Sequence, residues 1–212
     1  MSPVATLTKG EQTRAAILGA AFKIASRLGL EGLTIGSLAD ETGMSKSGLF
    51  AHFGSREGLQ LAVLEHAAQL YGERVFTPAL KIDRGLPRLR ALFEAWLDWS
   101  QSSGLPGGCI MISAANEYDD RPGAIRDAVI EYQHRGNAIT QKAVRLAIEG
   151  GHLRRDTDPA QIAFELLGIV LASHNHRRLL GDREARKRAM NAFEQLISRH
   201  AVDIKKLKAV SR

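Results

Sequence analysis

The stretch MSKSGLFAHFGSREGL, residues 44–59, decides the fold prediction. It places Ser-Lys-Ser-Gly at residues 45–48, directly ahead of a short run that contains two phenylalanines and a histidine. Small and cationic residues at the start of a helix gain nothing from burial, and Ser45 is a good N-cap. Leu49 and Phe53 are four residues apart and therefore share one helix face. The stretch thus predicts a short helix that packs through one face and exposes its N-terminal end.

Two further helices are predicted ahead of this stretch. Apolar residues recur at helical spacing over residues 17–28, and Gly29 is a suitable stop. Thr34 is a suitable N-cap for a very short helix that ends before Gly43. This order of elements is the helix-turn-helix arrangement, in which the N-terminal end of the second short helix enters the major groove of DNA. The sequence therefore predicts that residues 45–48 lie against DNA.

The rest of the chain is predicted to be helical as well. The helices lengthen after about residue 78, and no segment shows the period-two alternation that is typical of a strand. The predicted fold class is therefore all-α. The predicted long helices cover residues 86–102, 107–118, 122–149, 159–180 and 182–204. The predicted division is a flexible arm at 1–11, a helix-turn-helix domain at 12–58, a connecting helix at 59–78, a larger helical domain at 79–206 and a basic tail at 207–212.

The composition is that of an ordinary globular protein. The chain has 212 residues, of which 44% are hydrophobic and 25% are charged. No apolar run approaches the roughly 18 residues that a membrane span needs. The start, MSPVATLTKGEQ, lacks the apolar core of a secretory signal, and the one cysteine cannot form an internal disulfide. We therefore expect a cytoplasmic protein with no membrane partner.

The positive charge lies away from the predicted DNA-reading segment. The whole chain carries a net charge of +6, which weakly suggests an anionic partner. Residues 1–60 contain six Lys or Arg and five Asp or Glu, whereas residues 177–212 contain eleven and four. Binding of nucleic acid through the N-terminal part would therefore depend on a few well-placed cations. The basic C-terminal end is more simply explained as a solvated helix face and tail.

The frame around the opening stretch combines many residue types at fixed spacing. It contains Thr-Arg before an Ile-Leu helix, a glycine before a threonine-capped helix, Leu-Ala-x-x-x-Gly-x-Ser, Leu-Phe-x-His-Phe and Ser-Arg-Glu-x-Leu. Together these residues, which span 13–64, resemble the DNA-binding domain of the TetR family of bacterial transcriptional regulators. The resemblance implies an N-terminal three-helix domain with a helix-turn-helix. It also implies a larger C-terminal helical domain for ligand binding and dimerisation.

The resemblance also implies which residues meet DNA. Arg14 and Thr34 match positions that contact the phosphate backbone, and Arg56 matches a lysine that does the same. The family usually has tyrosine where this chain has Phe50, so a phenol hydrogen bond is lost there, although the ring can still pack on a sugar or a thymine methyl. The implied DNA-contacting set is Arg14, Thr34, Ser45, Lys46, Ser47, Gly48, Phe50, His52 and Arg56.

The residues alone leave simpler explanations open for this set. Ser45 is also explained as nothing more than an N-cap, and Gly48 as a local feature of the helix. Lys46 is also explained as a solvated lysine and His52 as a packed core histidine.

Two residue sets in the larger domain follow from the resemblance. In the family the last two helices usually pair with those of a second copy, and the domain encloses a small-molecule pocket. The dimer-interface candidates are Phe164, Leu167, Leu171, Ala189, Phe193 and Leu196. The pocket candidates are Phe93, Trp96, Trp99, Cys109, Met111, Asn116, Glu117, Tyr118 and Phe164. Of these, Phe93, Trp96, Trp99, Met111 and Phe164 are more simply explained as plain core.

Cysteine and histidine offer two further hypotheses. Cys109 follows two glycines and could lie in a first helical turn, where a thiol becomes reactive, but a buried inert cysteine is the simpler interpretation. His174 and His176 are two residues apart on a helix and point about 200° apart, so they cannot share one ion. We therefore expect no metal site and no cofactor.

The sequence favours a DNA-binding regulator over an enzyme. No P-loop, GxGxxG, HExxH or nucleophile-elbow pattern is present, and Asp119 and Asp120 are adjacent and form no dyad. We expect a homodimeric repressor that leaves a pseudo-palindromic operator when a small-molecule effector binds. The alternatives are an activator, and a helix-turn-helix that serves as a protein–protein module without DNA binding.

Overall fold

The structure is a computed structural model that describes residues 8–102 and 106–202. Its α-helices are α1 (Lys9–Leu28), α2 (Ile35–Thr42), α3 (Lys46–Phe53), α4 (Arg56–Tyr71), α5 (Thr77–Leu80), α6 (Leu86–Ser102), α7 (Ile110–Tyr118), α8 (Ala124–Glu149), α9 (Pro159–Arg178) and α10 (Ala185–His200). A π-helical turn, Gly72–Phe76, separates α4 from α5. These residues contain no β-strand, only one isolated bridge between Leu153 and Ala201, so the all-α prediction is confirmed.

The start of α1 differs from the predicted one. The Thr8 side chain accepts a hydrogen bond from the backbone N–H of Glu11, and the Glu11 carboxylate accepts one from the Thr8 backbone. This capping box begins the helix at Lys9, so the last residues of the predicted arm are helical. The remainder of the arm, residues 1–7, and the basic tail, residues 207–212, lie outside the described residues.

The two short helices begin and end where local chemistry predicts. Thr34 caps α2 through its hydroxyl, which accepts the Ser37 N–H at 2.9 Å. Gly43 ends α2 with a φ of +67°, a left-handed conformation that glycine adopts without strain. Ser45 then caps α3. The turn between α2 and α3 is therefore fixed by residues on either side of it.

The chain forms two compact units. Unit 1 contains the described residues up to Leu70 together with residues 106–132, and unit 2 contains the rest. This grouping differs from the continuous division expected from the sequence, because α7 and the start of α8 belong with the helix-turn-helix. In unit 1 the side chains of Ile17, Leu38, Leu49 and Leu59 are almost fully buried. They form a core between α1, α2, α3 and α4.

Unit 2 has a core centred on two stacked phenylalanines. The rings of Phe93 in α6 and Phe193 in α10 lie 4.7 Å apart at an interplanar angle of 17°. The Arg90 guanidinium covers the Phe193 ring and forms an ion pair with Glu194. Helix α9 packs against both α6 and α10. No helix among the described residues is long and apolar enough to cross a membrane.

Candidate nucleic-acid interface

The N-terminal end of α3 is exposed, as the sequence predicts. Ser45, Lys46 and Ser47 are all exposed, whereas Leu49 is fully buried and holds the helix against unit 1. The Ser45 hydroxyl accepts the Gly48 N–H at 3.1 Å and lies 3.2 Å from the Ser47 hydroxyl. Backbone N–H groups and a cation therefore point outward at a helix N-terminus, where anions such as phosphate are favoured.

Gly48 leaves room for this cap. A Cβ atom at Gly48 would lie 3.2 Å from the Ser45 hydroxyl oxygen, which is closer than most side chains tolerate. The missing side chain thus serves the capping hydrogen bond. It also lets an approaching surface reach the backbone of α3, so the two explanations of Gly48 are compatible.

The aromatic residues of α3 differ in their exposure and in their contacts. Phe50 exposes 48% of its surface, a large exposure for an apolar side chain. His52 is half-buried, and its ring lies 6.3 Å from that of Phe53. The Arg14 guanidinium lies 5.4 Å from the centre of the Phe53 ring, an arrangement that orients the arginine by cation–π attraction. Arg14 is thereby positioned beside α3 while it stays exposed.

Arg56 has a different environment from the one expected for a phosphate contact. Its guanidinium donates to the backbone carbonyl of Glu31 at 2.5 Å and to that of Leu33 at 3.3 Å. It also forms an ion pair with the Glu31 carboxylate at 3.2 Å. In this conformation Arg56 binds the turn between α1 and α2, and its contact with DNA stays a prediction. Sequence analysis did not identify Glu31, because its partners lie far from it in the chain.

Thr34 also serves the protein itself. Its hydroxyl lies within the capping box of α2, where it meets both the backbone N–H and the hydroxyl of Ser37. The side chain is half-buried. A phosphate that contacts Thr34 would therefore lie at the N-terminal end of α2. The capping hydrogen bonds would already hold the threonine side chain in place.

The pocket candidates of unit 2 form part of its core or surface. Phe93 and Trp99 are buried, and Trp96 is half-buried. The Trp99 ring meets that of Tyr71 edge to face at 5.8 Å. Phe164 is 71% exposed on α9, so it lies on the surface of its protomer, and its role as a pocket wall stays a prediction.

Two of the pocket candidates of unit 1, Glu117 and Tyr118, form hydrogen bonds with the turn after α1. Cys109 is buried at the N-cap of α7, Met111 is half-buried and Asn116 is exposed. Glu117 accepts the backbone N–H of Glu31 at 3.0 Å, and the Tyr118 hydroxyl donates to the Glu31 carboxylate at 2.6 Å. The polar ends of these two side chains are therefore used within unit 1.

The dimer candidates also separate into two groups. Phe164 and Leu171 are exposed on one face of α9, and Leu167 beside them is half-buried. Ala189, Phe193 and Leu196 are buried inside their own protomer, where Phe193 stacks on Phe93. The apolar stripe of α10 is therefore used within unit 2, and a place for these three residues in a dimer interface stays a prediction.

The histidines of α9 have separate partners. His174 Nδ1 lies 3.1 Å from the Ser100 carbonyl oxygen, and burial lowers the pKa of this histidine. His176 lies 3.5 Å from Asp182. No group of three or more potential metal ligands occurs within residues 8–102 and 106–202.

Comparison with known proteins identifies both parts of the chain. Residues 17–63 match the family described as "Bacterial regulatory proteins, tetR family", and residues 85–193 match "Tetracyclin repressor-like, C-terminal domain". No curated protein sequence matched the chain.

Solved structures of the same fold are numerous and distant in sequence. A TetR-family transcriptional regulator from Cytophaga hutchinsonii aligns with a TM-score of 0.82 at 20% identity, covering 94% of this chain and 100% of its own. A TetR transcriptional regulator from Chloroflexus aurantiacus gives 0.80 at 23%, covering 91% and 96%. AibR, in complex with isovaleryl coenzyme A and operator DNA, gives 0.68 at 23%, covering 86% and 95%. With both of its parts matched, the chain belongs to the TetR family and is a DNA-binding transcriptional regulator.

Proposed function

We propose that the protein is a homodimeric repressor that binds a pseudo-palindromic operator through α3 and leaves it when a small molecule binds. The exposed, Ser45-capped N-terminal end of α3 is the observation that carries the proposal. Its serines, lysine and backbone N–H groups are the donors that base edges and phosphates accept. Arg14, placed on the Phe53 ring, supplies a second cation beside it. With so few cations, the position of each one matters more than the total charge.

An exposed apolar face on α9 supports the homodimer. Phe164, Gly168, Leu171 and Ala172 are all exposed and recur at helical spacing. A large aromatic side chain that is 71% exposed at the start of such a stripe is costly to leave in water. A second copy, related by a two-fold axis, would cover the stripe with the same stripe. Two reading helices about one DNA turn apart then fit two half-sites.

Binding of a small-molecule effector has a precedent at the level of the fold. AibR is described in complex with both isovaleryl coenzyme A and operator DNA. An effector that prefers the conformation with low DNA affinity weakens DNA binding by the ratio of its two affinities, and DNA weakens effector binding by the same factor. We further propose that the protein acts in the cytoplasm, where bacterial operators are.

A protein–protein role for the helix-turn-helix is a second candidate. The exposed Phe50 favours it, because a large apolar side chain is also suited to a protein surface. An activator would bind operator DNA in the same way as a repressor and would differ only in its effect on transcription.

Charge reversal at Lys46 tests the proposal. DNA bound by the wild-type protein is first selected from a random pool and quantified by fluorescence anisotropy. Lys46→Glu places a carboxylate against DNA in both halves of the dimer, so we expect operator affinity to fall about 100-fold or more. Lys142→Glu, at an exposed position on α8, makes the same charge change and should leave affinity within about twofold. Equal affinity of Lys46→Glu and wild type would show that DNA is not bound through the N-terminal end of α3, and a wild type that selects no DNA would favour the protein–protein role.

A further inference from the structure

The turn between α1 and α2 meets the end of α7 at one carboxylate. The Glu31 carboxylate accepts the Tyr118 hydroxyl at 2.6 Å and pairs with Arg56 at 3.2 Å and with Arg121 at 3.6 Å. The Arg121 guanidinium also lies 5.8 Å from the centre of the Tyr118 ring. We name these four residues, Glu31, Arg56, Tyr118 and Arg121, the Glu31 hub. All four belong to unit 1.

Backbone contacts beside the hub join the same two segments. The Glu31 N–H donates to Glu117 at 3.0 Å, and the Gly107 N–H donates to the Ser26 hydroxyl at 2.8 Å. A Cβ atom at Gly107 would lie only 1.3 Å from the Ser26 carbonyl oxygen. A Cβ at Gly29, which has a φ of +75°, would lie 2.2 Å from the Glu117 carboxylate. At Gly107 the two segments therefore touch through their backbones, whereas at Gly29 the Glu117 side chain approaches the backbone of the turn after α1.

The charges of the hub are mutually stabilised. Burial, followed by the hydrogen bond to Glu31, raises the pKa of Tyr118, so the phenol keeps its proton near neutral pH. The hydrogen bond from Tyr118 lowers the pKa of Glu31, and the two arginines lower it further. A protonated phenol and an ionised carboxylate make a strong, short hydrogen bond.

The four hub residues lie at or beside the ends of the helices that they connect. Glu31 lies in the turn that leads into α2, and Arg56 is the first residue of α4. Tyr118 is the last residue of α7, and Arg121 lies between α7 and α8. The hub therefore ties both ends of the α2–α3 segment to the end of α7 and the start of α8.

We propose that the Glu31 hub holds α2 and α3 at a fixed angle to α7 and thereby sets the half-site spacing that the protein accepts in its operator. The inference rests on the proposed dimeric DNA binder. Arg56 then acts as a positioning residue: it binds Glu31 and the Leu33 carbonyl, and does not need a phosphate contact. Base preference within each half-site belongs to α3 and is independent of the hub.

Operators with altered spacing test the proposal directly. The selected operator is remade with one base pair removed or inserted between its half-sites, which rotates one of them by about 35°. A rigidly held reading helix cannot follow this rotation, so we expect the wild type to lose about 30-fold in affinity on the altered operators. Tyr118→Phe and Glu31→Ala release the helix, so the loss should shrink to about threefold, with affinity for the natural spacing reduced about tenfold.

Matched variants separate the hub from charge and packing. Glu41→Ala removes the same charge from α2, where Glu41 faces Arg27 at 4.0 Å on the surface, and should keep the spacing preference of the wild type. Gly107→Ala forces the segment before α7 away from α1 and should relax the spacing preference as Tyr118→Phe does. Gly19→Ala lies in α1 with nothing within 4 Å of the added Cβ, so it should leave the spacing preference unchanged.

Arg56 supplies an independent readout. If Arg56 positions α2 and α3, Arg56→Gln relaxes the spacing preference and leaves the slope of log K against log salt unchanged. If Arg56 contacts phosphate, the slope falls by about 0.9 for each half-site and the spacing preference stays. The inference is overturned if Tyr118→Phe, Glu31→Ala and Arg56→Gln bind with the spacing preference of the wild type. Where Glu31→Ala does not fold, Tyr118→Phe and the exposed Arg121→Gln decide alone. A wild type that selects no DNA would instead refute the proposed function.

Discussion

Helices α3 and α9 both expose a face, and the two faces differ in chemistry. The exposed end of α3 carries serines, a lysine and backbone N–H groups, whereas the exposed face of α9 carries Phe164, Gly168 and Leu171. Polar donors suit an anionic partner that is bound and released, and an apolar stripe suits a partner that stays. Exposure alone therefore does not define a function, because the residue types on a face decide which partner fits it. Three substitution experiments test this contrast, and a fourth tests the Glu31 hub.

Charged residues on the α9 face should separate the two copies and, through them, the two half-sites. Phe164→Glu combined with Leu171→Glu places four carboxylates in the proposed interface, so we expect monomers in sedimentation experiments. Operator affinity should fall about 1,000-fold, because binding of the second half-site is no longer linked to the first. Ser198→Glu, at an exposed position on α10, is the control. A dimer that survives the double substitution would place the interface elsewhere.

Truncation of Phe193 and of Phe164 should distinguish a core side chain from a surface one by its effect on stability. Phe193 is fully buried and stacks on Phe93, so Phe193→Ala should lower the free energy of unfolding by about 3–5 kcal/mol. Phe164→Ala should lower the stability of the isolated protomer by less than about 0.5 kcal/mol, since little of that side chain is buried in it. Denaturant unfolding at several protein concentrations measures both. Equal losses that do not depend on protein concentration would show that Phe164 is also core.

A phenol at position 50 should strengthen DNA binding without changing its specificity. Phe50 is exposed on α3, and Phe50→Tyr restores the hydroxyl that relatives usually carry there. One added hydrogen bond to a phosphate contributes about 1 kcal/mol, so each half-site should gain about fivefold in affinity. The gain should be the same on operator and random DNA, because phosphates carry no sequence information. A gain on operator alone would mean that the ring reads a base.

Acid should weaken the Glu31 hub. The Tyr118 hydrogen bond, with smaller effects of Arg56 and Arg121, lowers the pKa of Glu31 in the folded protein below its unfolded value. The stabilisation is therefore complete above the ordinary glutamate pKa of 4.5 and is lost as the pH falls through the lower folded value. Wild type should lose more stability than Glu31→Gln over this acidic range, by a small amount because the side chain is 46% exposed. Parallel curves for the two proteins would show that Glu31 is not stabilised as described.

The sequence was most informative where structure is local. Thr34, Gly43 and Ser45 act on residues at most four positions away, so the ends of α2 and the start of α3 could be predicted from neighbours. The start of α1 followed the same chemistry: Thr8 and Glu11 form a visible capping-box pattern that was missed because the apolar periodicity begins later. The exposed tip of α3 belongs to this predictable part.

The rest depends on contacts between distant residues. Glu31 contacts Arg56, which is 25 residues away in the chain, and Tyr118, which is 87 residues away. No local sequence pattern predicts such contacts. Arg56 looks like a phosphate contact in sequence because an arginine at a helix start is equally suited to a phosphate and to a carboxylate. The packing of Phe193 within its own protomer could not be predicted either, because an amphipathic helix does not reveal which partner covers its apolar stripe.

Sedimentation of the protein with its selected operator tests whether two chains bind one operator through α3. We expect one complex with two chains per duplex and no comparable complex with scrambled DNA. The logarithm of the affinity should fall linearly with log salt, because phosphate contacts release ions. The same measurement on Lys46→Glu should show dimers that remain unbound. Equal binding of operator and scrambled DNA, or an operator complex that Lys46→Glu forms as tightly as the wild type, would contradict it.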